Sequence, residues 1–109
     1  MNNKDKVACR TPAKGRDGVT NIPRWKYEAV RDAILTVLNE AGSDGFLFKD
    51  LSKAVGDHLT DEQRAQLGSL GWHTTTVKLN MEVEGEIRRM EGVSPQRLTL
   101  GHSVVIPPQ

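Results

Sequence analysis

Residues 77–89, VKLNMEVEGEIRR, are compatible with two secondary structures, and the choice between them determines which fold is predicted. Apolar residues occupy every second position from Val77 to Val83, which on its own indicates a β-strand. The same apolar residues also stand four apart in pairs, so one broad face of a helix can hold them all. Gly85 follows, and glycine readily takes the left-handed conformation that ends a helix. The spacing alone leaves strand and helix both open.

Three predicted helices precede this stretch. The second covers residues 48–59 and follows a short apolar segment at 46–48. The third runs from Thr60 to about Leu67, because Thr60-Asp61-Glu62-Gln63 matches a capping box, in which hydroxyl and amide side chains bond the first turn reciprocally. The first begins at Pro23, and its apolar residues recur at steps of three and four before a glycine that suits its C-terminal end: Tyr27, Val30, Ile34, Val37, Leu38, Ala41 and then Gly42.

Beyond Gly85 the sequence predicts a two-stranded hairpin. The strands are residues 87–91 and 96–100, joined by a four-residue connection at 92–95. Leu98 and Leu100 are expected to point together toward the core, which leaves Arg97 on the outer face.

The order helix, short strand, helix, helix and hairpin is similar to the winged helix-turn-helix arrangement. The spacing of Met81, Gly85 and Ile87 resembles the passage from the third helix into the wing of bacterial winged-helix proteins. This resemblance implies a helix over residues 73–84. The predicted fold class is therefore α+β, a winged helix-turn-helix with three to four helices and a small antiparallel β-hairpin wing.

A closer resemblance is to a family of small uncharacterised bacterial proteins with a winged-helix-like domain. It covers about residues 9–102, and the residues that carry it are Cys9-Arg10-Thr11-Pro12, Tyr27, and Gly71-Trp72 through Thr75 to Leu79. This family implies the fold and brings no activity with it.

Charge is distributed unevenly along a chain of 109 residues whose formal net charge is +1. Residues 1–26 hold seven basic and two acidic side chains, whereas residues 27–70 hold four basic and eight acidic ones. The length suits one domain. We expect residues 1–20 to form a basic, flexible N-terminal arm, residues 21–102 the winged-helix domain and residues 103–109 a loose C-terminal tail. A basic arm favours approach to an anionic surface such as double-stranded DNA.

Helix-turn-helix proteins meet the major groove with the start of the helix that occupies residues 73–84 here. Acidic residues dominate the end of this helix, and the wing tip at 91–95 has no Lys or Arg. Two functions are therefore kept: a DNA-binding or transcription-related accessory protein that contacts mainly phosphates, and a winged-helix module that binds another protein or itself and does not bind DNA. The predicted DNA-binding residues are His73, Thr74, Thr75 and Lys78 on the helix, with Arg89 and Arg97 on the wing.

The residues favour no catalytic site, metal site or cofactor. The three histidines are far apart in sequence and Cys9 is the only cysteine, so neither a zinc motif nor a disulfide is indicated. We expect no enzymatic activity. With no long apolar run and no signal sequence, a cytoplasmic protein without a membrane partner is expected. Trp72 is expected to be a core or junction anchor between the second helix and the helix over residues 73–84; the alternative is a surface anchor for a protein partner.

Overall fold

The computed structural model describes residues 5–11 and 19–101. Within those residues the fold is α+β, with four α-helices and two small antiparallel sheets. The elements follow one another as β1 (Lys6–Arg10), β2 (Val19–Pro23), α1 (Arg24–Ala41), β3 (Phe46–Leu47), α2 (Leu51–Asp57), α3 (Asp61–Leu67), α4 (Leu70–Glu84), β4 (Ile87–Arg89) and β5 (Arg97–Leu100).

The helix α1 is the centre of the core, and its apolar stripe forms as the sequence predicts. The helix starts at Arg24 with Pro23 as its N-cap and ends at Ala41. It packs against α2, α4 and β5. The side chains that it buries recur at helical spacing: Tyr27, Val30, Ala33, Ile34, Val37 and Leu38.

The short helices α2 and α3 support one flank of the core. The predicted helix over residues 48–59 is shorter in the structure, because residues 48–50 form a 3₁₀ turn before α2 begins at Leu51. The capping box at α3 is confirmed: the Thr60 hydroxyl accepts from the backbone N–H of Gln63, and the Gln63 side chain accepts from the backbone N–H of Thr60.

The stretch at residues 77–89 is a helix followed by a strand, as the resemblance implies. The helix α4 starts three residues earlier than predicted, at Leu70, and the Ser69 side chain accepts a hydrogen bond from the backbone N–H of Trp72. Gly85 ends the helix in the left-handed conformation, with φ 81° and ψ 9°. The chain then enters β4 at Ile87, which is buried.

A three-stranded sheet with the order β3-β5-β4 covers one end of α1. Ile87 pairs with Leu100 and Arg89 with Leu98, while Phe46 of β3 pairs with Leu98 from the other side. The strand β4 ends at Arg89, two residues before the predicted end. Leu98 is fully buried and Leu100 half-buried, so both point inward as expected.

The expectation of a flexible arm over residues 1–20 is wrong for the residues described there. The strands β1 and β2 pair antiparallel, with Cys9 opposite Thr20, and pack against α1 and α4. Cys9 and Ile22 are buried in the core, so burial and strand pairing hold this basic segment against the body of the protein. The remaining arm residues 1–4 and 12–18, and the predicted tail 103–109, lie outside the described residues.

Candidate functional site

The helix α4 carries most of the predicted DNA-contacting residues, and it lies between α1, α2 and β1 with β4 at its end. Most of its inward positions are polar. Thr74 is 0 % exposed, Lys78 2 % and Asn80 4 %, beside the apolar Val77 and Met81. Buried polar groups usually have hydrogen-bond partners, and Lys78 and Asn80 have them, whereas the hydroxyl of Thr74 has none in the described part of the chain.

Lys78 has such partners on α4 itself and on the turn that precedes α2. Its Nζ lies 2.5 Å from Oε2 of Glu82 and 4.6 Å from the centre of the Phe48 ring. Oε1 of Glu82 also accepts a hydrogen bond of 3.1 Å from Nε of Arg89 on β4. Burial lowers the pKa of Lys78, and the Glu82 carboxylate opposes that shift. Lys78 therefore joins α4 to the 3₁₀ turn at residues 48–50, and its buried ammonium group does not favour the predicted contact with DNA.

The side-chain amide of Asn80 links α4 to both α1 and β1 through its nitrogen and its oxygen. Its Nδ2 donates to the hydroxyl of Tyr27 on α1, and its Oδ1 accepts from the backbone N–H of Arg10 on β1, each over 2.9 Å. Burial raises the pKa of Tyr27, with the bond from Asn80 acting in the opposite direction. This contact fixes the β1–β2 hairpin against the two central helices.

The other predicted site residues do not form one surface. His73 and Thr74 are buried, and His73 Nδ1 lies 2.7 Å from the backbone oxygen of Ser69. Arg97 donates from Nη1 to the backbone oxygens of Asp44 and Gly45, at 3.2 Å and 3.1 Å. Two side chains remain exposed, Thr75 on α4 and Arg89 on the wing, and the guanidinium of Arg89 is bonded to Glu82.

One part of the outward surface of α4 is an uncharged stripe, which we call the α4 seam: Trp72, Thr76, Leu79 and Val83. Trp72 is 48 % exposed and Val83 38 %, with Thr76 and Leu79 half-buried between them. The expectation that Trp72 sits in the core is therefore wrong, and the alternative of a surface position agrees with the structure. The steps of four, three and four residues are those of the a and d positions that form the contact line between paired helices.

The sequence contained a signal for the seam that periodicity alone could not resolve. Two stripes with helical spacing share α4: Thr74, Val77 and Met81 form the buried one, and the seam is the other. Hydrophobicity favours burying the seam, because it holds a tryptophan and two aliphatic residues. Lys78 and Glu82 stand four residues apart and can pair on one face, but such a pair is ordinarily exposed and gave no signal that this face is buried.

Two concavities border α4. A small cavity of about 100 Å³ lies beside the seam, lined by Cys9, Arg10, Thr11, Thr20, Thr76 and Leu79. A cleft of about 370 Å³ opens between β1, α1 and the end of α4, with Tyr27, Arg31, Asn80, Glu84 and Glu86 among its lining residues. Nε and Nη2 of Arg31 both donate to the Glu86 carboxylate, so the cation of this cleft is already neutralised.

Among residues 5–11 and 19–101, no group of three or more His, Cys, Asp or Glu side chains could hold a metal ion. No helix in that part of the chain is long and apolar enough to cross a bilayer. Burial raises the pKa of the Cys9 thiol to about 11.

Residues 6–98 match a family of unknown function, DUF6958. The chain belongs to this family. Comparison with curated proteins and with solved structures gave no match. The matched region begins at the first residue of β1 and ends within β5, so the DUF6958 region contains the β1–β2 hairpin together with α4.

Proposed function

We propose that this DUF6958 chain is a winged helix-turn-helix module that binds protein through the α4 seam and does not bind DNA. The order α1, β3, α2, α3, α4, β4, β5 supports the winged-helix assignment, because it is the helix, strand, helix, helix, hairpin sequence of that fold. The sheet order β3-β5-β4 supports it as well, because the first strand pairs with the last.

The observation that carries the proposal is the exposed and uncharged stripe on α4. Tryptophan is enriched among the residues that dominate the energy of protein interfaces, and Trp72 stands 48 % exposed at one end of the seam. The aliphatic side chains of Leu79 and Val83 continue the stripe along the helix. Contiguous apolar surface on a soluble domain commonly marks an interaction site.

DNA binding has less support from the same helix. Affinity for DNA comes mainly from cations that contact phosphates, and the only Lys or Arg of α4, Lys78, is buried against Glu82. Arg97 and Arg89 are bonded within the domain. Arg88 on β4 and Arg10 on β1 are exposed candidates for phosphate contact, which makes DNA binding the competing outcome of the test.

The test compares two exposed valines. Val83 in the seam is 38 % exposed and Val93 at the wing tip 37 %, so Val83→Lys and Val93→Lys add the same charge at equal exposure. In affinity capture with the full chain, we expect proteins held by the wild type to be held by Val93→Lys and lost with Val83→Lys. If the wild type and Val83→Lys captured the same proteins equally well, the proposal would be contradicted.

The second arm of the test is a titration of labelled duplex DNA at about 50 mM salt, where phosphate contacts are strong. We expect no saturable rise in anisotropy. Saturable binding that weakens with Thr75→Ala and Arg88→Ala would overturn the proposal in favour of a DNA-binding module.

A further inference from the structure

We infer that the partner of the α4 seam is a second copy of this chain, docked with the two α4 helices antiparallel about a twofold axis near residues 77 and 78. This inference rests on the proposed function, since it names what the seam binds. The spacing of the seam permits this docking, because steps of four, three and four residues are symmetric about that point. In an antiparallel pair Trp72 lies opposite Val83 of the second copy, and Thr76 opposite Leu79.

The sizes of the seam residues suit this pairing. Each layer then joins a larger side chain to a smaller one, Trp72 to Val83 and Leu79 to Thr76, which is how facing helices interdigitate without voids. A parallel pair would place Trp72 against Trp72 and Thr76 against Thr76. At a single helix separation, the layer of two tryptophans would be overpacked and the layer of two threonines would leave a void.

Charge favours the same orientation. Glu84, exposed at the C-terminal end of α4, would lie beside the first turn of the second α4, where the helix dipole is positive. Gly71 stands in that first turn with open space around its Cβ position, so the approach is not obstructed by a side chain. In a parallel pair Glu84 would instead face its own copy, and two like charges would repel.

The small cavity beside the seam gives the contact a place for a side chain. It has a volume of about 100 Å³ and is bounded on one side by Thr76 and Leu79 and on the other by Thr11 and Thr20 of the hairpin. Leu79 of the second copy, which lies opposite Thr76, would enter it. The hairpin therefore widens the contact beyond the helix.

The contact is small, so the dimer is expected to be reversible. The helix α4 has 15 residues and is about 22 Å long, and one helix from each copy gives an interface at the lower limit of specific ones. We expect a monomer–dimer equilibrium that depends on concentration.

The experiment uses two complementary charge variants of the full chain, Trp72→Glu and Val83→Lys. Both sites are exposed, and an acidic side chain is favourable in the first turn of a helix, so both variants are expected to fold. Sedimentation equilibrium of each variant alone should show monomer where the wild type and Val93→Lys show dimer. An equimolar mixture should restore the dimer, because antiparallel docking sets the introduced carboxylate of one variant opposite the introduced ammonium of the other.

Three results would overturn the inference: a wild type that stays monomeric up to about 1 mM, a dimer that survives either single substitution, or a mixture that fails to associate although the wild type does. A monomeric wild type whose capture of another protein is still abolished by Val83→Lys would overturn the inference and leave the proposed function standing. A monomeric wild type that binds DNA would overturn both.

Discussion

The helices α1 and α4 lie against each other in the core, yet they differ in which kinds of side chain they bury and expose. The helix α1 buries Val30, Ile34 and Leu38 and leaves its charged residues at the surface. The helix α4 buries Lys78 and Asn80 and leaves Trp72 and Val83 in solvent. Apolar burial accounts for most of the position of α1, and Tyr27 and Arg31 add polar contacts to Asn80 and to Glu86. The position of α4 depends on paired polar contacts inside the domain, and its exposed seam is the surface that the proposed partner would cover.

The largest expected effect is at Lys78. Lys78→Ala leaves the nearly buried carboxylate of Glu82 with Arg89 as its remaining ionic partner and opens space under Phe48. We expect a loss of about 3 kcal/mol in the free energy of unfolding, measured by urea denaturation. The matched control is Lys53→Ala on the exposed face of α2, expected to change it by less than about 0.5 kcal/mol. Equal losses in the free energy of unfolding for Lys78→Ala and Lys53→Ala would mean that Lys78 is exposed. The contrast between a helix that buries a charged side chain and α1 would then be lost.

The next effect is at Asn80, which holds the hairpin to both helices. Asn80→Ala leaves the Tyr27 hydroxyl and the Arg10 amide without their shared partner, and we expect a loss of about 2 kcal/mol. Amide hydrogen exchange at Arg10 should accelerate. Tyr27→Phe should cost less when Asn80 is already alanine, since the bond is then absent. Strictly additive effects with unchanged exchange at Arg10 would contradict the contact.

The burial of Cys9 makes stability depend on alkaline pH. The pKa of its thiol is 9.0 ordinarily and about 11 in the folded chain, so between these values the folded state binds more protons than the unfolded state. Stability contributed by the neutral buried thiol is therefore present below pH 9 and lost as the pH rises to 11. Between about pH 8 and about pH 11, we expect the free energy of unfolding of the wild type to fall by about 2 kcal/mol more than that of Cys9→Ala. Unfolding measurements on both chains at the two pH values give this difference. Parallel pH profiles would show that the hairpin does not bury Cys9.

A smaller effect marks where α4 ends. Gly85→Ala places a Cβ at a φ of 81° and is expected to destabilise the chain by about 1 kcal/mol. Gly71→Ala, in the first turn of the same helix and with open space around its Cβ position, should stabilise it by about 0.5 kcal/mol. Thermal unfolding of both variants measures this contrast. A midpoint temperature that shifts in the same direction in both variants would contradict it.

The parts of the fold that local signals specify were predictable from the sequence. The stripe of α1, the capping box at Thr60 and Gln63, and the left-handed Gly85 each depend on residues within a few positions of one another. The α+β class followed from their order.

The hairpin and the orientation of α4 depend on distant residues and could not be derived in this way. The strand β1 is held by Thr20 across the hairpin and by Asn80, which is 70 residues from its hydrogen-bond partner Arg10. The burial of Lys78 requires Phe48 and Arg89 from two other elements, whereas lysine is ordinarily an exposed residue. For the same reason, the sequence analysis placed Trp72 in the core and placed His73, Thr74 and Lys78 at the surface.

The fluorescence of Trp72 tests the central claim most directly. The chain has two tryptophans, so Trp25→Phe leaves Trp72 as the only tryptophan, placed at the end of the α4 seam. We expect its emission to shift toward shorter wavelength as the chain concentration rises, because the ring leaves water when two seams meet, and to remain unchanged when duplex DNA is added to a dilute sample. Emission that is constant with concentration but altered by duplex DNA would contradict the account.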